Sequence, residues 1–305
     1  MEPEVTKGVW PVMLTPFKEN GEVDWSGVDA LTDWYIEAGV AGLFAVCLSS
    51  EMYELTEEEK ISLVRRVVKR SAGKVPVVAS GTFGGSIKRQ AQFIKKLWEQ
   101  GAKAAVVIVC QLARRDEGDD IWLQNVSRLL ELTDEVPLGF YECPLPYHRL
   151  LTPEILRWAA STKRFFFYKD TSAQTDLIKD KLEAIKGTSI RWFNADSLTL
   201  LDSLLLGGDG FSGIDANFCP ELYVWLCENF QREPESSRKL QRFLGVIKLA
   251  LSNKYPASSK MFLQLCGLPI SPVCRTGKVT FTEREIRFLK YLRELIKDWH
   301  KELGI

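Results

Sequence analysis

Residues 137–169 read PLGFYECPLPYHRLLTPEILRWAASTKRFFFYK and contain one complete unit of the architecture. The stretch opens on a short apolar run, Pro137–Tyr141, and closes on another, Phe165–Lys169. Between them Thr152-Pro153 precedes EILRWAA, an N-cap followed by proline at the first helical position, where the missing N–H loses no bond. Strand, helix and strand in this order make a βαβ unit. Runs that are apolar throughout, without alternation, suit strands buried on both faces of a parallel sheet.

The same unit recurs on either side. Upstream lie Val9–Leu14, Gly42–Leu48, Val75–Ala79 and Ala104–Cys110, and downstream lie Arg191–Asn194 and Gly210–Ile214, which brings the candidate strands to eight. Helical punctuation fills the gaps: Thr56 to Glu59 is a capping box ahead of ISLVRRVVKR, and Gly39, Gly73, Gly101 and Gly207 fall where helices should end. Eight strands alternating with eight helices over about 220 residues predict an α/β TIM (β/α)8 barrel spanning residues 1–220. After Pro220 only helical patterns follow, with a second capping box at Thr282 to Glu285. Residues 221–305 therefore read as a C-terminal helical extension packed on the barrel in a single structural unit. A doubly wound open sheet is the competing architecture, but no G-x-G-x-x-G follows the first strand.

Composition narrows the function. The 305 residues carry 40 Lys+Arg against 40 Asp+Glu, so no basic excess offers itself to nucleic acid. The two histidines, His148 and His300, stand far apart, which disfavours a His-based metal site. The seven cysteines are odd in number and include no C-x-x-C pair, the usage of scattered thiols in a reducing compartment. The N-terminal stretch has no apolar h-region, and no run approaches the roughly 18 residues of a membrane span. A cytoplasmic protein that needs no membrane, metal or cofactor is expected.

In a barrel, chemistry gathers where the strands end at their C-terminal edge. There the chain places Ser49-Ser50-Glu51, Tyr141, Lys169, Asn194-Ala195-Asp196 and Ser212-Gly213. A lysine ending the run Phe165–Tyr168 would sit in an apolar cavity, where desolvation disfavours its charged form and leaves a nucleophilic amine. The competing reading is an ion pair with Asp170. Tyr141 ends the adjacent strand and could move protons beside an imine, or simply be a core aromatic. Ser49 and Ser50 offer hydroxyls and N–H groups to a carboxylate, or are ordinary loop serines, while Glu51 reads as a buried structural carboxylate, with a general base the competing role. The glycines of Gly207-Gly208-Asp209-Gly210 suit either a phosphate cradle or a tight turn.

These motifs together resemble the dihydrodipicolinate synthase / N-acetylneuraminate lyase family of class I, Schiff-base aldolases. The similarity runs nearly end to end. It rests on Thr15-Pro16-Phe17, on Glu51 to Glu59, on Phe140-Tyr141-Glu142-Cys143-Pro144 and on Tyr168-Lys169-Asp170-Thr171-Ser172. Gly210 to Asn217, and Pro256 to Lys260 with Gly267, complete it. The resemblance implies a homo-oligomer, a dimer or a tetramer, acting on a 2-oxo acid such as pyruvate. It assigns imine formation to Lys169, proton relay to Tyr141, the substrate carboxylate to Ser49 and the Ser50 N–H, and a backbone contact to Ser212.

Departures from the family pattern are informative. Leu48 replaces the hydroxyl that joins the synthases' proton relay, and Val109-Cys110-Gln111-Leu112 replaces their tyrosine pair. The synthase arginine falls near Pro146, and Ser197-Leu198 stands where the sialic acid lyases have Asp-Glu. The expectation is a lyase, an aldolase or dehydratase, with neither of those two substrates. Arg114, Arg115, His148 and Arg149 are candidates for an anionic co-substrate, with surface solvation the competing role. A catalytically inactive barrel that binds a keto or sugar acid as a sensor or regulatory subunit is the alternative.

Overall fold

The computed structural model describes residues 5–305, apart from the side chain of Ala250. Eight strands form one sheet among these residues: β1 (Gly8–Val9), β2 (Leu43–Phe44), β3 (Val77–Ser80), β4 (Ala104–Ile108), β5 (Leu138–Tyr141), β6 (Phe165–Asp170), β7 (Arg191–Asn194) and β8 (Gly210–Phe211). All pairings are parallel and the order is β1-β8-β7-β6-β5-β4-β3-β2. The seam between β1 and β2 closes through the Phe44 N–H, which donates to the Pro11 carbonyl, and the Met13 N–H, which donates to the Phe44 carbonyl, each at 3.0 Å. This is the TIM barrel that the alternation of patterns predicts.

Seven helices lie between successive strands: α1 (Trp25–Glu37), α2 (Glu57–Ser71), α3 (Ile87–Glu99), α4 (Asp119–Leu132), α5 (Pro153–Ser161), α6 (Thr175–Ile185) and α7 (Leu200–Leu205). The eighth, α8 (Pro220–Asn229), begins at residue 220 and runs through the stretch assigned from sequence to the extension. The shift arises because β8 is only two residues long and a 3-10 turn, Ile214–Asn217, precedes the helix. The extension proper is α9 (Pro234–Leu251), α10 (Ala257–Leu265) and α11 (Glu283–Leu303). Thr56, Thr152 and Thr282 each accept the backbone N–H three residues on, the caps read from sequence. None of the described helices is long and apolar enough to cross a membrane.

Strand contact is closest between β1 and β8. Gly8 pairs with Gly210, and a Cβ on Gly210 would stand 1.8 Å from the Gly8 carbonyl oxygen, so only glycine fits there. Inside the barrel, Trp10, Phe44, Phe167 and Phe193 form an aromatic floor, with Phe167 and Phe193 stacked at 4.8 Å. Outside it, Trp122, Phe140, Phe165 and Trp192 belong to a second buried cluster beneath the helices. A bulge between β5 and β6, at the step Leu138/Gly139, turns Phe165 into the outer cluster and Phe167 into the inner one. The residue two beyond Phe167 on the same strand is Lys169.

Candidate active site

The β5–β6 register sets Tyr141 opposite Lys169. The Lys169 Nζ lies 4.8 Å from the centre of the Tyr141 ring, and each residue is 4% exposed. Tyr141 meets the floor edge-on through Phe44, with ring centres 5.7 Å apart. Burial lowers the Lys169 ammonium to about 8, against weaker opposing pulls from the Cys47 and Cys143 sulfurs. The Tyr141 phenol is pushed well above its ordinary value, again chiefly by burial. Asp170 is not the partner of Lys169: its Oδ2 stands 2.8 Å from Lys181 Nζ, on the outer side of the sheet.

Successive residues of a strand point to opposite faces, so the neighbours of Tyr141 and Lys169 build a second layer behind them. Lys181, on α6, bridges Glu142 Oε1 and Asp170 Oδ2 at 2.8 Å each, with all three side chains fully buried. Tyr168 Oη donates to Glu142 at 2.6 Å, Trp192 Nε1 donates to Asp170 at 3.3 Å, and the Leu151, Thr171 and Ser172 N–H groups donate to the two carboxylates. Burial and the Asp170 charge raise Glu142 to about 7. This network holds the ends of β5 and β6 together.

After β2 the chain makes a 3-10 turn at Leu48–Ser50, and Glu51 follows with φ of +55°. The Ser50 hydroxyl donates to the Met13 and Ala45 carbonyls at 2.7 and 3.0 Å, and its N–H donates to Cys47 at 3.0 Å. Glu51 accepts the Arg275 and Thr276 N–H groups and pairs with Lys260 at 2.7 Å, the structural carboxylate read from sequence. Ser49 is buried beside Tyr255, whose phenol is held up by burial and accepts a 2.6 Å bond from Asn217 Nδ2. Across the mouth, the Ser212 hydroxyl donates to the Trp10 carbonyl at 2.8 Å and its N–H to the Asn194 carbonyl at 2.7 Å, so both donors are occupied within the fold. Ser197 donates to the buried Asp215 carboxylate and touches the Tyr223 phenol at 2.9 Å. Burial pushes Asp215 up to about 6 against the pulls of that bond and of Lys169.

The candidate anion contacts are largely occupied. Arg149 binds Asp119 and the Glu117 carbonyl, Arg114 pairs with Glu117, and His148 Nε2 lies 2.7 Å from Thr171 Oγ1. Arg115 packs over Tyr147 and, with Gln111 and Arg114, lines an open cavity of about 540 Å3. Gly207 to Asp209 precede β8 and so lie at the closed end of the barrel, away from the mouth, which excludes them as a phosphate cradle beside Lys169. Sequence reasoning missed Tyr53, Cys143, Tyr255 and Asp215. Only Cys143 carried a local signal, standing two residues beyond Tyr141.

The model of the Dihydrodipicolinate synthetase family matches residues 5–294. A 4-hydroxy-tetrahydrodipicolinate synthase of Archaeoglobus fulgidus is 28% identical over 267 residues, covering 86% of this chain and 89% of the relative. An uncharacterized DapA-like lyase of Thermococcus kodakarensis is 27% identical over 279 residues, covering 88% and 92%. Among solved structures, YagE, a prophage protein of Escherichia coli K12 in complex with pyruvate, superposes with a TM-score of 0.85 at 23% identity, covering 95% of this chain and 98% of that one.

Proposed function

Because the chain belongs to the dihydrodipicolinate synthetase family, we propose that it is a Schiff-base lyase, an aldolase or dehydratase, acting on pyruvate or another 2-oxo acid. One observation carries the reading: a buried lysine with no carboxylate partner, held over a phenol and lowered to about 8. Its neutral amine attacks C2 of the oxo acid. The resulting carbinolamine takes a proton on its hydroxyl and loses water, leaving an iminium that draws electrons from C3. A proton, or a carbon–carbon or carbon–oxygen bond at that end of the substrate, then breaks toward the enamine. Tyr141, whose ring lies under the Lys169 amine, serves as the acid and base of these steps. The Ser49 hydroxyl receives the substrate carboxylate, since the Ser50 and Ser212 N–H groups are held by the Cys47 and Asn194 carbonyls, and the Ser212 carbonyl faces it across the mouth.

The second substrate is neither that of the synthases nor sialic acid. Leu48 cannot pass a proton, Pro146 cannot grip a carboxylate, and Ser197 already serves Asp215. The seven cysteines are all free, which supports a cytoplasmic enzyme, and Val246 and Leu249 on α9 present apolar surface suited to a homo-oligomer.

Thermal shift separates this enzyme from an inactive binding barrel. At a ligand concentration 100-fold above Kd, binding stabilises the folded state by about 2.7 kcal/mol. Pyruvate, or another 2-oxo acid from a panel, is expected to raise the melting temperature of the wild type and to lose most of that shift in Lys169→Ala. A shift that survives the substitution would favour the binding barrel.

A further inference from the structure

Alternation along the strands decides what surrounds the Lys169 amine. Val107 and Val109 belong to the outer cluster, while Ile108 and Cys110, at and just beyond the end of β4, belong to the inner one. Past β5, Cys143 follows Tyr141 into the same inner cluster. Leu48 after β2 and Ile214 after β8 pack half-buried against it. With Phe44, Phe167 and Phe193 stacked beneath, the wall is apolar at β2, β4, β5 and β8. The Cys110 thiol adds no free donor, because it donates to the Leu145 carbonyl at 3.2 Å. Charge is missing from that wall. Apart from Lys169, every buried charged side chain among the described residues has a partner: Glu51 holds Lys260, Glu142 and Asp170 hold Lys181 behind the sheet, and Asp196 holds Lys248. Asp215 accepts from Ser197, Lys60 donates to the Leu55 carbonyl, and Asp209 meets Lys7 at the closed end. Of the arginines beyond β4 and β5, Arg114 and Arg149 are paired with acids and Arg115 is spread over the Tyr147 ring.

We propose that the second substrate is an aldehyde with an uncharged, apolar substituent, an alkyl or aryl aldehyde, which the enamine of the 2-oxo acid attacks. The inference rests on the Schiff-base reading of Lys169. A carboxylate or phosphate against this wall would lose its hydration and gain no cation, and the hydroxyls of a sugar aldehyde would lose theirs and gain no partner. An apolar substituent is stabilised there by burial alone. The steps balance without an oxidant or reductant. Tyr141 protonates the departing hydroxyl of the carbinolamine, and its phenolate then takes a proton from C3 to leave the enamine. C3 bonds to the aldehyde carbon, and the aldehyde oxygen takes the proton back from Tyr141. Water adds to the new iminium and releases a 4-hydroxy-2-oxo acid and the free Lys169 amine.

The test compares butanal with 4-oxobutanoate, aldehydes of equal chain length that differ by one carboxylate. Each is given with pyruvate, and the 4-hydroxy-2-oxo acid is followed by NMR, with borohydride trapping of pyruvate alone on matched samples. The kcat/KM for butanal is expected to exceed that for 4-oxobutanoate by at least about ten-fold. Leu48→Lys adds a cation to the wall outside the catalytic groups and is expected to shrink that ratio at least about five-fold while pyruvate is trapped as in the wild type. Cys110→Lys, whose side chain can extend into the open cavity of about 540 Å3 beside it, repeats the measurement if Leu48→Lys does not fold. A kcat/KM for 4-oxobutanoate equal to or above that for butanal overturns the proposal, as does a ratio that the added lysine leaves unchanged. Turnover of neither aldehyde by protein that traps pyruvate overturns it as well. Absence of trapping in the wild type would instead remove the Schiff-base reading.

Discussion

Lys169 owes its chemistry to its surroundings. A lysine after four aromatic residues at a strand end is visible in the sequence, and the adjacency of Tyr141 follows from consecutive strands ending side by side. The choice between an amine nucleophile and an Asp170 ion pair was not legible, because it depends on which face each residue takes. The bulge at Leu138/Gly139 and the pull of Lys181 on Asp170 both come from outside the local pattern. The neutral amine is the reactive form, so protonation as pH falls through about 8 should slow imine formation, with a plateau above it. The initial rate of reductive trapping as a function of pH checks this. A rate still climbing toward an ordinary lysine's 10.5 would contradict it.

At the scale of elements, β5 and β6 place Tyr141 and Lys169 on their inner face and an ion cluster on their outer one. Glu142, Asp170 and Lys181 are fully buried, and removing one member of such a cluster leaves uncompensated charge in the interior. Lys181→Met should therefore cost about 3–5 kcal/mol of stability, measured by the urea midpoint. A loss below about 1 kcal/mol would show that the cluster does not hold the two strands. The strands and helix caps could be read in advance because period and capping are local signals. Lys181 could not be, because on α6 it looks like one more amphipathic-helix lysine, and only the fold turns it inward.

For the whole molecule, the C-terminal extension does more than cover the barrel. Lys260 on α10 binds Glu51, the loop residues Arg275 and Thr276 donate to the same carboxylate, and Tyr255 reaches Asn217 beside Ser49. The extension thus fixes the loop that would hold the substrate carboxylate, a role hidden in the sequence because the partners lie more than 200 residues apart. Arg275 also pairs with Glu59 through two bonds and holds that carboxyl down to about 2. A depressed carboxyl contributes stability that is fully present above about 4.5 and is lost as pH falls toward about 2. Arg275→Met should accordingly lower stability near neutral pH, and its difference from the wild type should shrink through that window in acid-unfolding curves. A pH-independent difference would place the stabilisation elsewhere.

The central claim, that this barrel works through a covalent imine on Lys169, is tested most directly by incubating the protein with pyruvate and borohydride, digesting it and weighing the peptides. The expected result is a reduced pyruvate adduct on the peptide carrying Lys169 and none in Lys169→Ala. An unmodified Lys169 across a panel of 2-oxo acids would contradict the account.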